Sequence, residues 1–526
     1  MILPPDTLYF RILEPDSPEL PTRKSLPEKW NLEQLSSRKE RHTFYDTFEN
    51  QAYHHALSVI RKKGRIEVTG LENGKVLADA PFAKTPSSFF PAALDDDKAM
   101  KLLLECSDLR AFMKICSIDV HISSWKILDD NQKTVALLNT ESLQLTEGDQ
   151  KEPFVRFFSL TPLRGYHKEL ARILRALPEP VDTYRLTGFR ERFLQIIEAS
   201  GHPLGGYSSK LRLQLDPEAT IHESVRRLLQ FTTSVMLDNE TGICRDIDTE
   251  FLHDYRVAMR RARSILRLIR GAFDPHRTAW ALSGLRELGR NTNQLRDNDV
   301  CLLHKQEYLE ILPPALRSDL ELFFKDLSDE RRAQHRQLSA YLSGNEYRNF
   351  MKAWKEFITC ETLPDQELAP NSALPTRVVA GKSIRKAWKK VIVHGRRIGP
   401  EDNDKELHEL RIECKRLRYL LEFFSSLFPA KTGTRLIDHL KQLQENLGDF
   451  VDVSVQLTFL LERIESLTAT EQEIRKAAAL GGLVVALYRR QDEARQRFSE
   501  TFDRFDDEQT SALFDLILTR LQQTTE

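Results

Sequence analysis

The chain has 526 residues, of which 40% are hydrophobic and 29% charged, a balance typical of globular proteins with two or more domains. The formal net charge of −1 excludes a uniformly basic surface, so any affinity for anions must come from local clusters of Lys and Arg. The six cysteines form no C-x-x-C pair, which argues against a zinc site or a disulfide framework. The first residues lack a signal-peptide pattern, and the longest apolar run, 477–488, is too short to span a membrane, so we expect a soluble cytoplasmic protein.

Residues 1–205 are predicted to form a mainly antiparallel α+β domain. Short segments of alternating apolar and polar residues are separated by turn signals, of which 72–75 and 129–132 are plausible hairpin connections. The candidate strands are 7–13, 41–46, 56–61, 65–71, 74–78, 111–120, 124–128, 134–139, 142–146 and 155–160. Apolar helices are expected to follow at about 163–177 and 185–200.

After a linker at 206–217, residues 218–526 are predicted to be helical almost throughout. Helices are expected at 221–237, 277–309, 314–342 and 432–465, with a final pair near 470–524. A Pro-rich break at 363–375 divides this all-α domain into halves at about 218–362 and 376–526.

Two basic segments repeat each other across this break. The segment 253–270 carries arginines at helical spacing on one face, and 408–419 reproduces it 155 residues later. The same register continues from Leu266 and Leu421 to Asp297 and Asp452. Such a fixed offset predicts an internally duplicated helical unit with two pseudo-symmetric halves.

The basic faces of this unit predict an anion site. Solvated helix faces usually alternate acids with bases at i,i+4, but acids are missing from 256–270 and from the basic segment 382–397. Arginine supplies paired donors that fit phosphate oxygens. The competing interpretation is that these are ordinary solvated faces, and Glu409 and Glu413 dilute the charge of the second segment.

His253 and His408 occupy equivalent positions one turn before the basic residues. Either ring could hydrogen-bond near the helix start as a structural residue, or donate to a bound phosphate. Catalysis by them is not expected, because no partnered carboxylate or nucleophile is spaced beside them. Asp297 and Asp452 are interpreted as partners that orient an arginine, rather than as metal ligands.

At these H-x-x-R-x-x-x-[KR]-R-x-R segments the chain resembles the CHAD domain, the family named for histidine-bearing α-helical repeats. The resemblance covers roughly 218–524 and implies a helical bundle that binds inorganic polyphosphate along paired basic helices. The expected polyphosphate-binding residues are His253, Arg256, Arg260, Arg261, Arg263, Arg267, Lys382, Arg385, Lys386, Lys389, His408, Arg411, Lys415, Arg416 and Arg418.

The N-terminal domain resembles the CYTH fold, the triphosphate-tunnel domain, at 40–71, 109–145 and 162–177. Active members of that family begin with an E-x-E-x-K strand that binds metal. Here the first candidate strand reads Thr7-Leu-Tyr-Phe-Arg11, without acids, and the late strand 154–158 also lacks alternating acids. The basic residues Arg61, Lys62, Lys63, Arg65 and Lys114 either remain from a tunnel or are surface charges.

These observations favour a binding protein rather than an enzyme, with no cofactor, no metal site and no catalytic residue. The first alternative is a divalent-metal-dependent triphosphatase or polyphosphatase that acts in the N-terminal domain. The second is a binder of nucleic-acid phosphates, which the scarcity of aromatic residues near the basic stripes makes less favourable. We expect a cytoplasmic protein that associates with polyphosphate granules.

Overall fold

We describe a computed structural model of the chain, covering residues 7–12, 29–146, 155–176, 184–202, 204–399 and 404–523. Phe154 of the late strand, and the ends of the predicted elements at 13 and 177, lie outside the described residues. The chain divides into two compact units, Met1–Ser208 and Ser209–Glu526. No helix in the described ranges is both long and apolar enough to span a membrane.

The first unit is built on one antiparallel sheet with the strand order β10-β1-β9-β8-β7-β2-β3-β4-β5, and β6 pairs with β7. The strands are β1 (Leu8–Ile12), β2 (Asn31–Asp46), β3 (Leu57–Lys62), β4 (Arg65–Gly70), β5 (Val76–Pro81), β6 (Ser88–Phe89), β7 (Phe112–Leu128), β8 (Thr134–Leu145), β9 (Val155–Pro162) and β10 (Tyr184–Thr187). The helices are α1 (Gln51–His54), α2 (Asp97–Ser107), α3 (His167–Ala176) and α4 (Phe189–Ala199). The predicted α+β class is confirmed.

The central strands are longer than their sequence pattern indicates. The predicted strands 111–120 and 124–128 are one strand, β7, and β2 begins ten residues before the predicted start at Arg41. These two strands pair along nearly their whole length, and this pairing carries the backbone through polar positions that do not alternate clearly. The predicted helix at 185–200 begins only at Phe189, because 184–187 pair with β1.

The second unit is all-helical. Its helices are α5 (Ile221–Cys244), α6 (Thr249–Leu268), α7 (Pro275–Leu303), α8 (Lys305–Ile311), α9 (Pro314–Leu342), α10 (Asn345–Thr359), α11 (Thr376–Gly395), α12 (Asp404–Phe423), α13 (Ala430–Glu465), α14 (Glu471–Gln496), α15 (Phe498–Phe505) and α16 (Glu508–Gln522). The predicted final helical pair is three helices, because the chain turns at Arg497 and again at Asp506.

The helix boundaries follow the sequence repeat. The helices α5, α6 and α7 begin 155 residues before α11, α12 and α13 respectively. Equivalent residues also meet, since Thr220 and Pro375 form an antiparallel bridge. Beside this bridge the Ser224 and Thr376 hydroxyls lie 2.7 Å apart. Contact between equivalent positions is what a two-fold axis between the halves requires. This pseudo-two-fold relation places α6 against α12, its own equivalent.

One hydrophobic core joins the two halves. It includes Tyr308 and Phe324 from the first half and Leu457, Leu480 and Leu483 from the second, all almost completely buried. The halves are therefore one packed body, so α6 and α12 are held in fixed positions.

Candidate anion-binding groove

The α6 helix carries both a core face and a basic face. The Asp248 carboxylate caps its start by accepting hydrogen bonds from the backbone N–H groups of Glu250 and Phe251, at 2.9 and 3.3 Å. The buried positions repeat every three or four residues and pack inward. They are Phe251, Leu252, Tyr255, Ala258, Met259, Ala262, Ile265 and Leu266. This packing leaves the arginines on the remaining faces of the helix.

Cationic side chains of α6, of the turn that follows it and of α12 line an open groove of about 570 Å³, which we call the α6–α12 groove. The cations are Arg260, Arg263, Arg267, Arg270, Lys415 and Arg416. The other lining residues are Ser264, Leu268, Ile412 and Tyr419, so no carboxylate is found among the described residues that form the wall. Arg260, Arg267 and Arg416 are exposed to solvent.

Crowding and burial shift the pKa values of the cations here. Burial, together with the nearby charges of Arg411 and Arg260, lowers the pKa of Lys415 from 10.5 to about 8. Burial and Arg260 likewise lower the pKa of Arg256 from 12.5 to about 10. The pKa of Arg263 is also lowered, first by burial and then by Arg267. Each shift favours loss of a proton, and a bound anion would oppose that loss.

Other predicted site residues are held by the protein rather than left open to a ligand. Arg256 donates to the Thr292 hydroxyl at 2.6 Å, and Arg411 donates to the Asp452 carboxylate at 2.6 Å. Arg418 donates to the Gln444 side-chain oxygen at 2.9 Å. These contacts fix the guanidinium groups beneath and beside the groove.

Asp297, the equivalent of Asp452, is near Arg256 and Arg296, and its charge favours their protonated forms. The buried carboxylate of this segment is instead Asp299, which accepts from Arg331 Nε at 2.8 Å. The sequence comparison missed Asp299 because the position 155 residues later is Ser454.

The two histidines differ in their surroundings. The His253 Nδ1 atom lies 2.9 Å from Nη2 of Arg296, so the ring accepts a hydrogen bond from that guanidinium. His408 is exposed at the start of α12, and its ring has no hydrogen bond to any of the described residues. Val451 stands where Arg296 would be expected in the second half, which explains the difference. Neither histidine lines the α6–α12 groove.

The basic residues of α11 do not join this groove. Lys382, Arg385, Lys386 and Lys389 line a separate surface between α11 and α16, beside Leu518 and Leu521. Packing of α11 against α12 and α16 decides which face it exposes. The predicted set of fifteen residues is thus divided between two surfaces, a group of internally bonded side chains and the exposed His408.

The first unit contains its own cavity of about 360 Å³, lined by both ends of the sheet and by α4. Its acids come from β2, β4 and β8, and each one pairs with a base. Glu40 contacts Lys63 at 2.9 Å, Glu67 contacts Lys62 at 2.6 Å, and Glu141 pairs with Arg192. Burial alone would raise the pKa of Glu40, but hydrogen bonds from Lys63, Arg38 and His42 lower it to about 2.

Of the basic residues considered for a tunnel, Lys62 and Lys63 line this cavity. Arg61 donates to the backbone oxygens of Phe82 and Ala83, and Arg65 pairs with Asp79 on the surface. The cavity acids were missed, although 38, 40, 42 and 44 alternate as one face of a strand should. Within the described ranges, no cluster of three or more His, Cys, Asp or Glu side chains could hold a metal ion.

Residues 227–461 match the family described as CHAD domain. This region is a CHAD domain. The match includes α6, α12 and every residue that lines the α6–α12 groove. The predicted relationship of the helical part of the chain is confirmed.

Relatives of this CHAD-containing chain add no further function. Two uncharacterized proteins of Mycobacterium tuberculosis, MT2285 and Rv2226, are each 29% identical over 250 residues. The match covers 46% of this chain and 44% of each relative, so the chain spans less than half the length of these proteins.

Two solved structures also align with the chain. The CHAD domain of the plant Ricinus communis is 22% identical, with a TM-score of 0.47, covering 57% of this chain and 97% of that one. PptA from Streptomyces chartreusis is 14% identical, with a TM-score of 0.41, covering 54% of this chain and 99% of that one.

Proposed function

We propose that the CHAD domain binds inorganic polyphosphate in the α6–α12 groove. The observation that carries the proposal is a wall of six cationic side chains in which no lining residue is acidic. Such a wall leaves its charge without carboxylate partners among the lining residues, and burial together with neighbouring cations lowers the pKa of Lys415. A polyanion supplies the missing charge, and inorganic polyphosphate is the ligand that the family resemblance implies.

The dimensions of the groove favour a chain of phosphates over a single one. Arg260 and Arg270 are ten residues apart on α6 and its C-terminal end, which corresponds to about 15 Å along a helix. Lys415 and Arg416 face them from α12. Cations spread over this length can each meet a different phosphate, whereas one phosphate would leave most of them without a partner.

We also propose that the sheet domain is non-catalytic. A metal-dependent triphosphatase needs carboxylates that are free to hold a divalent cation. The cavity carboxylates Glu40, Glu67 and Glu141 are each engaged with a basic side chain. Chelator-sensitive release of phosphate from tripolyphosphate by the full chain would overturn this part of the proposal.

The direct test compares two triple variants of the full chain by calorimetric titration with long-chain polyphosphate. The first changes the exposed groove residues Arg260, Arg267 and Arg416 to glutamine. The control changes three surface arginines outside the groove, Arg332, Arg348 and Arg504, to glutamine. We expect the groove variant to lose binding and the control to keep it. Because the two proteins have the same net charge, such a difference would come from the position of the arginines. Equal loss in both would show that the binding is not localised in the groove.

Nucleic acid is the competing ligand, since its backbone presents similar phosphates. Tyr419 is the aromatic residue among those lining the groove, which offers little stacking surface for bases. We therefore expect excess polyphosphate to displace any bound oligonucleotide, and retention of the oligonucleotide would favour the nucleic-acid function. In cells, a fluorescent fusion should collect on cytoplasmic polyphosphate granules and lose that pattern in the groove variant.

A further inference from the structure

The pseudo-two-fold relation between the halves implies a second copy of the groove. The lining residues have equivalents 155 positions away, so Arg263 and Arg267 correspond to Arg418 and Glu422, and Arg416 corresponds to Arg261. The α6–α12 groove should therefore continue, across the axis, into a two-fold-related region that we call the second arm. The side chains there are different in one decisive respect.

Glu422 occupies the place that Arg267 occupies in the open groove. Its carboxylate lies 3.1 Å from Nε of Arg418 and 3.5 Å from Nη2 of Arg261, and it is only 21% exposed. The pair equivalent to Arg261 and Glu422 is Arg416 with Arg267, two like charges that both line the open groove. The difference between Arg267 and Glu422 therefore keeps the α6–α12 groove electropositive and neutralises the second arm.

A backbone segment also covers the second arm. This strap, residues 209–215, precedes the first helix of the bundle. The Ser209 carbonyl oxygen accepts from Nη1 of Arg261 at 2.6 Å, and the Leu215 N–H donates to the Ser426 hydroxyl at 3.0 Å. The Leu215 side chain is buried, with 6% exposure. The strap thus occupies donors of the same guanidinium that Glu422 neutralises.

We infer that Glu422 and the strap make the site one-armed: a polyanion chain binds along the Arg267 and Arg416 side and stops at the pseudo-two-fold axis. Glu422 is then a residue that determines specificity, because it limits how many consecutive phosphates the domain contacts. This inference rests on the proposed function. It does not follow from that function, since a symmetric groove would also bind polyphosphate.

The test measures how salt and chain length affect binding to the full chain. The variants are Glu422→Gln, Glu422→Arg, which places in the second half the residue found in the first, and Glu422→Arg with Ser426→Ala to release the strap. The matched control is Glu500→Gln, which removes a carboxylate paired with Arg504 on α15. The unmodified protein is titrated first with long-chain polyphosphate, and then with chains of defined length.

We expect Glu422→Gln to bind long chains roughly fivefold tighter, as for the loss of one opposing surface charge, and Glu422→Arg, which also adds a cation, to exceed that gain. Freeing Arg261 and Arg418 should steepen the slope of log affinity against log salt by roughly 1.4. The shortest chain that reaches full affinity should become longer, and the release of the strap should increase both effects. Glu500→Gln should match the unmodified protein.

The outcomes separate the inference from the function on which it rests. If the unmodified protein binds polyphosphate but the Glu422 variants keep its salt slope and its chain-length limit, the one-armed site is wrong and the proposed function stands. If the unmodified protein fails to bind, the proposed function fails, and this inference with it. Circular dichroism and thermal unfolding of each variant confirm that it is folded before its affinity is compared.

Discussion

Binding of a polyanion should drive proton uptake by Lys415. Its pKa is lowered from 10.5 to about 8 in the free protein, because the side chain is partly buried and lies near Arg411 and Arg260. At pH 9 a group with that pKa is about 10% protonated, whereas a pKa restored to its ordinary value would make it about 97% protonated. On binding at pH 9, Lys415 should therefore take up about 0.9 proton per site.

The assay is calorimetric titration at pH 9 in buffers with different ionisation enthalpies, because the dependence on buffer reports the number of protons taken up. Affinity should fall about eightfold per pH unit near pH 9, by the same linkage. The Lys415→Arg variant keeps its charge at this pH and is the control. It should show only about 0.1 proton of uptake, from Arg256, whose pKa is about 10.

In the free protein, Lys415 should affect stability in the opposite direction: the free energy of unfolding should rise with pH where the affinity for polyphosphate falls. Because the folded pKa of Lys415 is below its unfolded value, the unfolded chain binds more protons between about pH 8 and 10.5. This group therefore makes the free energy of unfolding rise with pH across that window, and Lys415→Arg should remove the rise. Heat of binding that does not depend on the buffer at pH 9 would refute the reasoning, since Lys415 would then be already charged or remote from the ligand.

Three further predictions concern single features of the chain. Arg267→Glu, which copies the residue of the second half, should weaken polyphosphate binding at least tenfold in a titration, while Arg348→Glu on the exposed face of α10 should not. Asp299→Ala should lower the free energy of unfolding in urea by about 3 kcal/mol, because it leaves Arg331 without one of its two carboxylate partners; an unchanged midpoint would contradict this. His408→Ala should change neither affinity nor stability, because the ring is exposed and outside the groove; a large loss of affinity would assign it to the ligand.

The duplicated helices could be predicted because the pattern in one half of the repeat can be checked against the other half. A fixed offset of 155 residues holds through motif, apolar spacing and helix starts, and the structure begins α6 and α12 at that offset. Comparison of the two halves pointed to the wrong acidic residue where their sequences differ. Asp297 drew attention because Asp452 matches it, but the buried acid is Asp299, whose equivalent is a serine.

Tertiary packing accounts for most of what the sequence did not reveal. The basic residues of α11 have the composition of a phosphate site, but their face is set by contacts with α12 and α16 that no local pattern encodes. The strands β2 and β7 extend through polar residues because each supplies the other's backbone partners. The cavity acids of the sheet domain come from three strands that are distant in the sequence, so their ion pairs appear only once the sheet is formed.

The salt dependence of binding tests the central claim most directly. Long-chain polyphosphate is titrated into the full chain at several salt concentrations, and the logarithm of the affinity is plotted against the logarithm of salt. Six cations in the α6–α12 groove predict a slope of roughly −4. A slope near zero, or the absence of binding by the folded protein at low salt, would contradict the assignment of the groove as a polyphosphate site.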